Sequence, residues 1–292
     1  MYASHFEYLR ATSWEEAIRW LREYGDDARL LAGGQSLVPM MNLRLVDASH
    51  VIDLNDIASQ GIRISDGVVE IDALTRHSDL EASPVIAGAC PLLAEAAGLI
   101  GNVRVRHRGT IGGSVAHADP SGELPCALLA LGGTIRVLGP EGERRIPASD
   151  FFVSFFTTAL EEAEAVVGVE VPAAPGASGS AFLESVRRTG DFATVEIAAV
   201  VAFDASGLCT DVRVSLGGIG ERPVDLSEAA AAIVGTSVDE VLVKEAARAV
   251  ATSADPRGDE RASAEYRRRL SEVLTLRALL SARDRARGEG DR

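Results

Sequence analysis

The sequence predicts an α+β protein of two domains, and three observations lead to that class. Stretches of helical and of alternating apolar period are mixed in both halves of the chain. The 292 residues are enough for roughly two domains of ~150. A run of Pro, Ala, Gly and Ser, "PAAPGASGS" at 172–180, reads as a linker and sets the expected boundary near 175.

Each element has a local reason. In "TSWEEAIRWLREYGDDARLLAGG", Ser13 caps a helix and Glu16 stands at the capping-box position three residues on. Ala17, Ile18, Leu21 and Tyr24 recur at helical spacing until Gly25 stops the helix. "ARLLAG" and "SHVIDL" follow as short strands, and "IRISDGVVEIDAL" is a hairpin turning at Asp66-Gly67. "PLLAEAAGLIG" is a helix ending in glycine, and "ELPCALLALGGTIRVLG" is a helix and then a strand. "TIRVLGPEGERRIPA" is a second hairpin, and "AVVGVEVP" closes the first domain. Beyond the linker come strands over 181–188, 194–204 and 209–217, then helices over 226–234, 238–252 and 263–286.

Composition excludes several functions. A net charge of −14 disfavours non-specific nucleic-acid binding and docking on anionic membrane. No run approaches the ~18 apolar residues of a membrane span, and "MYASHFEYLRATSWEEA" lacks a signal-peptide pattern, so a cytoplasmic location is expected. Lys244 is the sole lysine and sits in a helical pattern, which argues against a Schiff base. There is no GxxxxGK[ST] and no GxGxxG, so the common phosphate-loop and dinucleotide fingerprints are missing. Cys90, Cys126 and Cys209 lie far apart; they form no disulfide framework and cannot alone ligate an iron–sulfur cluster. The five histidines have no HExxH spacing, so no metal site is expected.

Two glycine turns remain. Leu30, Leu31, Ala32, Gly33, Gly34, Gln35, Ser36 and Leu37 form one, and Thr110, Ile111, Gly112, Gly113 and Ser114 the other. Either alone is explained as a tight turn. As a pair in one domain, each offering successive amides and a hydroxyl, they read as two jaws of an anion nest. Ser114, His117 and Asp119 have hydrolase-triad residue types, but they lie too close in sequence for the relay, and Ala116 breaks the nucleophile elbow. The basic run "RVRHRG" at 104–109 reads as a solvated strand edge, a phosphate neutraliser or a docking patch. "RRTGDFATVEIA" at 187–198 is a turn held by Arg-Asp chemistry, followed by a strand.

These residues bring a family into view. "AGGQSL", the long stretch "RVRHRGTIGGSVAHADPSGELP" and "RRTGDFA", in that order and spacing, resemble the FAD-binding medium subunit of the molybdenum hydroxylases, the carbon monoxide dehydrogenase and xanthine dehydrogenase type. The resemblance spans nearly the whole chain. It implies a two-lobed FAD domain over 1–175, with lobes of about 1–55 and 56–175. A C-terminal α+β domain with a three-stranded sheet and helices would occupy 176–287, and a tail 288–292. It implies FAD pyrophosphate between the two glycine loops, Glu123 near the cofactor, Val167 packed near the flavin, and Asp191 and Phe192 in a turn approaching the isoalloxazine. Some relatives carry a lysine near 183–184, where this chain has Leu183 and Glu184.

It further implies partners: a small subunit with two [2Fe–2S] clusters and a large subunit with the molybdenum cofactor, as a dimer of heterotrimers. Electrons would run from molybdenum through the clusters to FAD and on to an external acceptor, with no catalytic acid or base on this chain. Two other readings stand beside it, a self-contained FAD-dependent oxidase and a non-redox nucleotide-binding scaffold.

Overall fold

A computed structural model describes residues 2–289 of the chain. The opening segment is β1 (Glu7–Arg10), α1 (Trp14–Tyr24), β2 (Ala28–Leu31), α2 (Leu37–Asn42) and β3 (His50–Asp53). Its three strands pair in parallel in the order β1-β3-β2. Ser13 caps α1 as its position predicts, accepting from the Glu16 amide at 3.2 Å. The reciprocal half of the capping box slips by one residue: Glu16 Oε2 accepts from the amide and hydroxyl of Thr12.

The second segment begins with the hairpin β4 (Ile62–Ser65) and β5 (Val68–Asp72). Its turn residues Asp66 and Gly67 both have positive φ, the conformation that tight hairpins require. Helices α3 (His77–Ala82), α4 (Pro84–Ala89), α5 (Pro91–Leu99), α6 (Val103–Arg106), α7 (Ile111–His117) and α8 (Glu123–Leu131) follow. Next come β6 (Thr134–Gly139), β7 (Gly142–Pro147), α9 (Ala148–Phe151), β8 (Phe152–Ser154), β9 (Thr157–Thr158) and β10 (Ala165–Pro172). The strands form an antiparallel sheet in the order β4-β5-β10-β6-β7. Its apolar face packs on α5, α7 and α8 to make one large core with Leu80, Leu92, Ile111, Leu124, Leu128 and Phe151 fully buried. Burying side chains of this size contributes about 1.5–3 kcal/mol each.

The basic stretch 104–109 is not a strand edge. Asn102 caps a turn of helix at α6, because its side chain accepts from the amides of Arg104 and Val105. Arg106 then turns inward, donating to Glu81 at 2.8 Å and to the Ile100 carbonyl at 3.1 Å.

The last segment holds β11 (Ser178–Ser185), β12 (Val195–Phe203), β13 (Cys209–Gly217), β14 (Val224–Asp225), α10 (Ser227–Ala230), α11 (Glu240–Ser253) and α12 (Ala264–Ala286). A short fourth strand, β14, extends the three expected ones. One face of this sheet packs on α11 and α12 and the other on α8. Gly179 lets α12 come close, since a Cβ there would overlap the Ala282 carbonyl and stand 2.5 Å from the Ala286 nitrogen. The two larger sheets are tied across α8 and α5. Ser215 donates to the Cys126 carbonyl at 2.7 Å, the Phe182 amide to Glu95 at 2.9 Å, and the Gly218 amide to the Pro120 carbonyl at 2.8 Å. Among the described residues no helix is long and apolar enough to cross a membrane. Of the expected tail, residues 290–292 lie outside the described residues.

Candidate cofactor site

The first glycine loop leaves the end of β2. Among the described residues, the amides from Gly33 to Leu37 meet no acceptor, and α2 begins only at Leu37. Gly34 has φ +71°, which brings successive amides round one bend. Gly33 abuts the second loop directly: a Cβ there would overlap the Arg108 carbonyl and stand 2.7 Å from Gly109 Cα. The Gln35 side chain folds back and donates to the Gly33 carbonyl at 3.1 Å.

The second loop has the same residue types and a different construction. Four of its five amides, Ile111 to Ser114, are already used, while the Thr110 amide meets no acceptor among the described residues. Ile111 donates to the Thr75 carbonyl at 3.0 Å, Gly112 to the Ala73 carbonyl at 2.9 Å and Ser114 to the Thr110 carbonyl at 3.0 Å. The Gly113 amide donates to the Thr110 hydroxyl at 3.1 Å, which caps α7. A matching nest of free amides at Thr110–Ser114, as the sequence led us to expect, is therefore not what this loop offers. It is zipped onto the chain leaving β5, and its hydroxyl-bearing turn is what faces outward. The Ser114 hydroxyl lies 3.1 Å from Nε2 of His77, a buried residue at the start of α3.

Arg76 and Asn55 link the two loops. The Arg76 guanidinium donates to Asn55 Oδ1 at 2.6 Å and to the Arg108 carbonyl, and Asn55 donates to the Ala32 carbonyl at 2.9 Å. Each end of this chain of bonds holds one loop, and this fixes the gap between them.

A cavity of about 630 Å³ opens along that gap. This lies within the range of about 300–1,000 Å³ usual for cofactor and ligand pockets. Leu30, Ala32, Gly33, Gly34, Gln35, Ser36 and Leu37 line one side, and Thr110, Gly112, Gly113 and Ser114 the other. Glu123, Asp191 and Phe192 also line it. The 190–192 turn is carried in from the last segment by a close glycine contact, since a Cβ on Gly190 would stand 3.1 Å from the Gly101 carbonyl. Three expected residues do not reach the wall. Leu31 points beneath its own loop among Met41, Ala48 and Val51, Ile111 is fully buried in the main core, and Val167 faces a separate cleft of about 190 Å³ beside Trp14. Val166 lines the cavity in its place, because β10 carries an irregularity between Val166 and Gly168 that resets which side chain faces inward. Sequence reasoning missed His77, Ile100, Val105 and Phe156 on the wall. Phe156 is reachable only through space, from the β8–β9 turn, where it packs on the His117 ring at 5.0 Å.

A group of carboxylates lies where the start of α8 meets the last sheet. Glu184 and Glu196 are directly opposed on β11 and β12, and Glu196 in turn faces Gly217 on β13. The glycine makes the space, since a Cβ on Gly217 would overlap the Glu196 carboxyl. Both Glu196 oxygens are buried without a partner among the described residues. Burial, with the charges of Glu123, Glu184 and Asp119, pushes the Glu196 carboxyl well up. Burial pushes Glu184 up to about 7. Glu123 also rises to about 7, chiefly by burial and with the charges of Glu184 and Asp119, against the pull of its own backbone amide.

The comparisons with known proteins agree with this architecture. The family described as "FAD binding domain in molybdopterin dehydrogenase" matches residues 4–174, and "CO dehydrogenase flavoprotein C-terminal domain" matches residues 180–282. The chain belongs to the FAD-binding medium subunits of the molybdenum hydroxylases. It is 40% identical to the 6-hydroxypseudooxynicotine dehydrogenase complex subunit alpha of Paenarthrobacter nicotinovorans, over 97% of this chain and 96% of that protein. It is 36% identical to the glyceraldehyde dehydrogenase medium chain of Sulfolobus acidocaldarius, over 95% and 98%. Among solved structures it resembles carbon monoxide dehydrogenase from Hydrogenophaga pseudoflava, with a TM-score of 0.93 and 38% identity over 97% of this chain and 98% of that one. This medium subunit is thus part of an oxidoreductase of that class. Its residues fit the cofactor. Open amides from Gly33 to Leu37 suit a pyrophosphate, and apolar Ile100, Val105 and Val166 suit flat rings.

Proposed function

We propose that this chain carries FAD in the cavity between its two glycine loops. There it receives electrons from two [2Fe–2S] clusters on a small partner subunit and delivers them to an external acceptor. A large partner subunit with the molybdenum cofactor completes the assembly, as a dimer of heterotrimers. The observation that carries this reading is the paired loops, one with its amides open, held at a fixed gap by Arg76 and Asn55. When bound, FAD supplies a carrier that can take two electrons from one-electron donors and pass them on.

The chain's own residues bind and orient. The amides of Gly33 to Leu37 take the pyrophosphate, the turn at Asp191 and Phe192 closes on the ring system, and Ile100, Val105 and Val166 keep water from it. No residue here is assigned to substrate chemistry, and the relatives' names cover substrates as different as carbon monoxide, glyceraldehyde and caffeine.

The test is purification from the native host with a tag on this chain. We expect a yellow protein with stoichiometric flavin that brings iron and molybdenum with it. The isolated chain should be reduced by dithionite and not by the organic substrate of the complex. A flavoprotein free of iron and molybdenum that an organic substrate bleaches unaided would replace this reading with the stand-alone oxidase. A colourless protein unable to take up FAD would replace it with the scaffold.

A further inference from the structure

His77 is the one histidine that the fold buries against the cavity, and nothing in the sequence pattern marks it. It opens α3 directly after the segment that zips to the second glycine loop. Its amide donates to the Gly109 carbonyl at 3.1 Å, and its neighbour Arg76 forms a bridge with Thr110. Gly109 lacks a side chain for this ring: a Cβ there would stand 2.7 Å from His77 Cε1 and 2.8 Å from Nδ1. The ring is therefore held by packing on one side, and Nε2 is left 3.1 Å from the Ser114 hydroxyl. Nδ1 is buried with no hydrogen-bond partner among the described residues.

The proton of the neutral ring sits on one of those two nitrogens. Nδ1 is unpaired in either tautomer, at a cost of about 1–3 kcal/mol, so the two differ in what Nε2 does at Ser114. The tautomer that leaves the Ser114 hydrogen for the cavity is Nε2–H, donating to Ser114 Oγ. The hydroxyl then keeps its own hydrogen, which is directed away from the imidazole and is available to an acceptor in the cavity that Ser114 lines. In the other tautomer Ser114 would donate to the ring and turn lone pairs toward an anion. Burial also keeps the ring neutral: it pushes His77 down to about 4, against the Thr110 carbonyl, and the Arg106 and Arg76 charges add to the shift.

We propose that His77 is a positioning residue for the cofactor site, holding the Ser114 hydroxyl as a hydrogen-bond donor to the bound phosphate. Because the amides of Ile111 to Ser114 are already used, this oriented hydroxyl adds a donor that they cannot supply. The proposal rests on FAD occupying the cavity, and the experiment separates the two.

Apoprotein labelled with ¹⁵N-histidine gives ring-nitrogen resonances by NMR, with His77 assigned by its loss in His77→Gln. The expected signature is a neutral Nε2–H ring at pH 7, still neutral at pH 5.5. A neutral Nδ1–H ring, or a charged one, would overturn the proposal whether or not FAD binds. FAD titration follows. His77→Leu and Ser114→Ala should each weaken binding about tenfold, near the ~1.4 kcal/mol of one oriented hydrogen bond. The double variant should be no weaker than either single one, and His77→Gln, whose amide can still donate, should bind better than His77→Leu. Additive losses, or equal loss in His77→Gln and His77→Leu, would assign the residue to packing alone. Failure of the unmodified protein to bind FAD would instead remove the proposed function and leave the NMR result standing.

Discussion

The two glycine loops look alike in sequence and work differently in the fold. In the first, Gly33 permits backbone-to-backbone contact with Arg108 and Gly109, Gly34 takes the positive φ, and the following amides stay open. In the second, Gly112 permits packing on Ala73, the amides of Ile111 to Ser114 close internal bonds, and a serine hydroxyl set against His77 remains. One jaw offers open main-chain amides and the other a side-chain hydroxyl on a rigid frame. The sharpest break of this comparison is Gly33→Ala. The added methyl meets carbonyl and Cα atoms, neither of which can rotate away. It should force the loops apart and cost more than about 100-fold in FAD affinity, the equivalent of the ~3 kcal/mol of severe overpacking. Flavin-to-protein ratio after desalting reads this out, and undiminished occupancy would show that the contact between the loops does not set the site.

Gly112→Ala is the counterpart with a smaller effect on binding. Its Cβ would stand 2.5 Å from Ala73 Cβ and 2.8 Å from the Ala73 carbonyl, inside the wall and not in the gap. The expected loss is of folding stability, about 1–3 kcal/mol, or several degrees in Tm by calorimetry of the apoprotein. FAD affinity of the folded fraction should change less than in Gly33→Ala. If the order of the two effects on affinity is reversed, the second loop is the main binding jaw.

The sequence made the local parts of this comparison legible. Ser13 at its cap, Asp66-Gly67 at its hairpin and the glycine runs themselves declare their geometry over a few residues. What depended on distant partners was not legible. β1 is a short, mostly exposed strand whose only reason is parallel pairing with β3, some 40 positions on. The Ile111 and Gly112 amides looked free because their acceptors, Thr75 and Ala73, lie across a gap in sequence that only the fold closes. Val167 was expected where Val166 stands because a strand irregularity shifts facing by one residue without a local sign. Ser114 does have a histidine partner, but it is His77 and not the nearby His117.

The smallest expected effect comes from pH, through the buried carboxylates where α8 meets the last sheet. Glu123 and Glu184 have folded-state pKa values raised to about 7, so between about 4.5 and 7 the folded protein holds protons that the unfolded chain has lost. Their contribution to stability is complete in acid and disappears as pH rises through 7. Glu196 is shifted in the same direction, and Cys126, raised chiefly by burial, stays a neutral thiol over this range. His77 works in the opposite sense. Lowered to about 4 from 6.5, it adds stability as pH rises between those values and nothing beyond them. From pH 6.5 to 8 only the carboxylates remain in play, so Tm of the apoprotein should drop by a few degrees, about what 1–2 kcal/mol gives in a chain of this length. Glu184→Gln, at a partly buried position of the group, should flatten that fall, and below pH 6.5, where His77 opposes the carboxylates, it should lessen the net fall as well. A profile that is level from 6.5 to 8 in the unmodified protein, or a fall that Glu184→Gln does not reduce, would mean that the carboxylates find counter-charges or water that keep them ionised without cost.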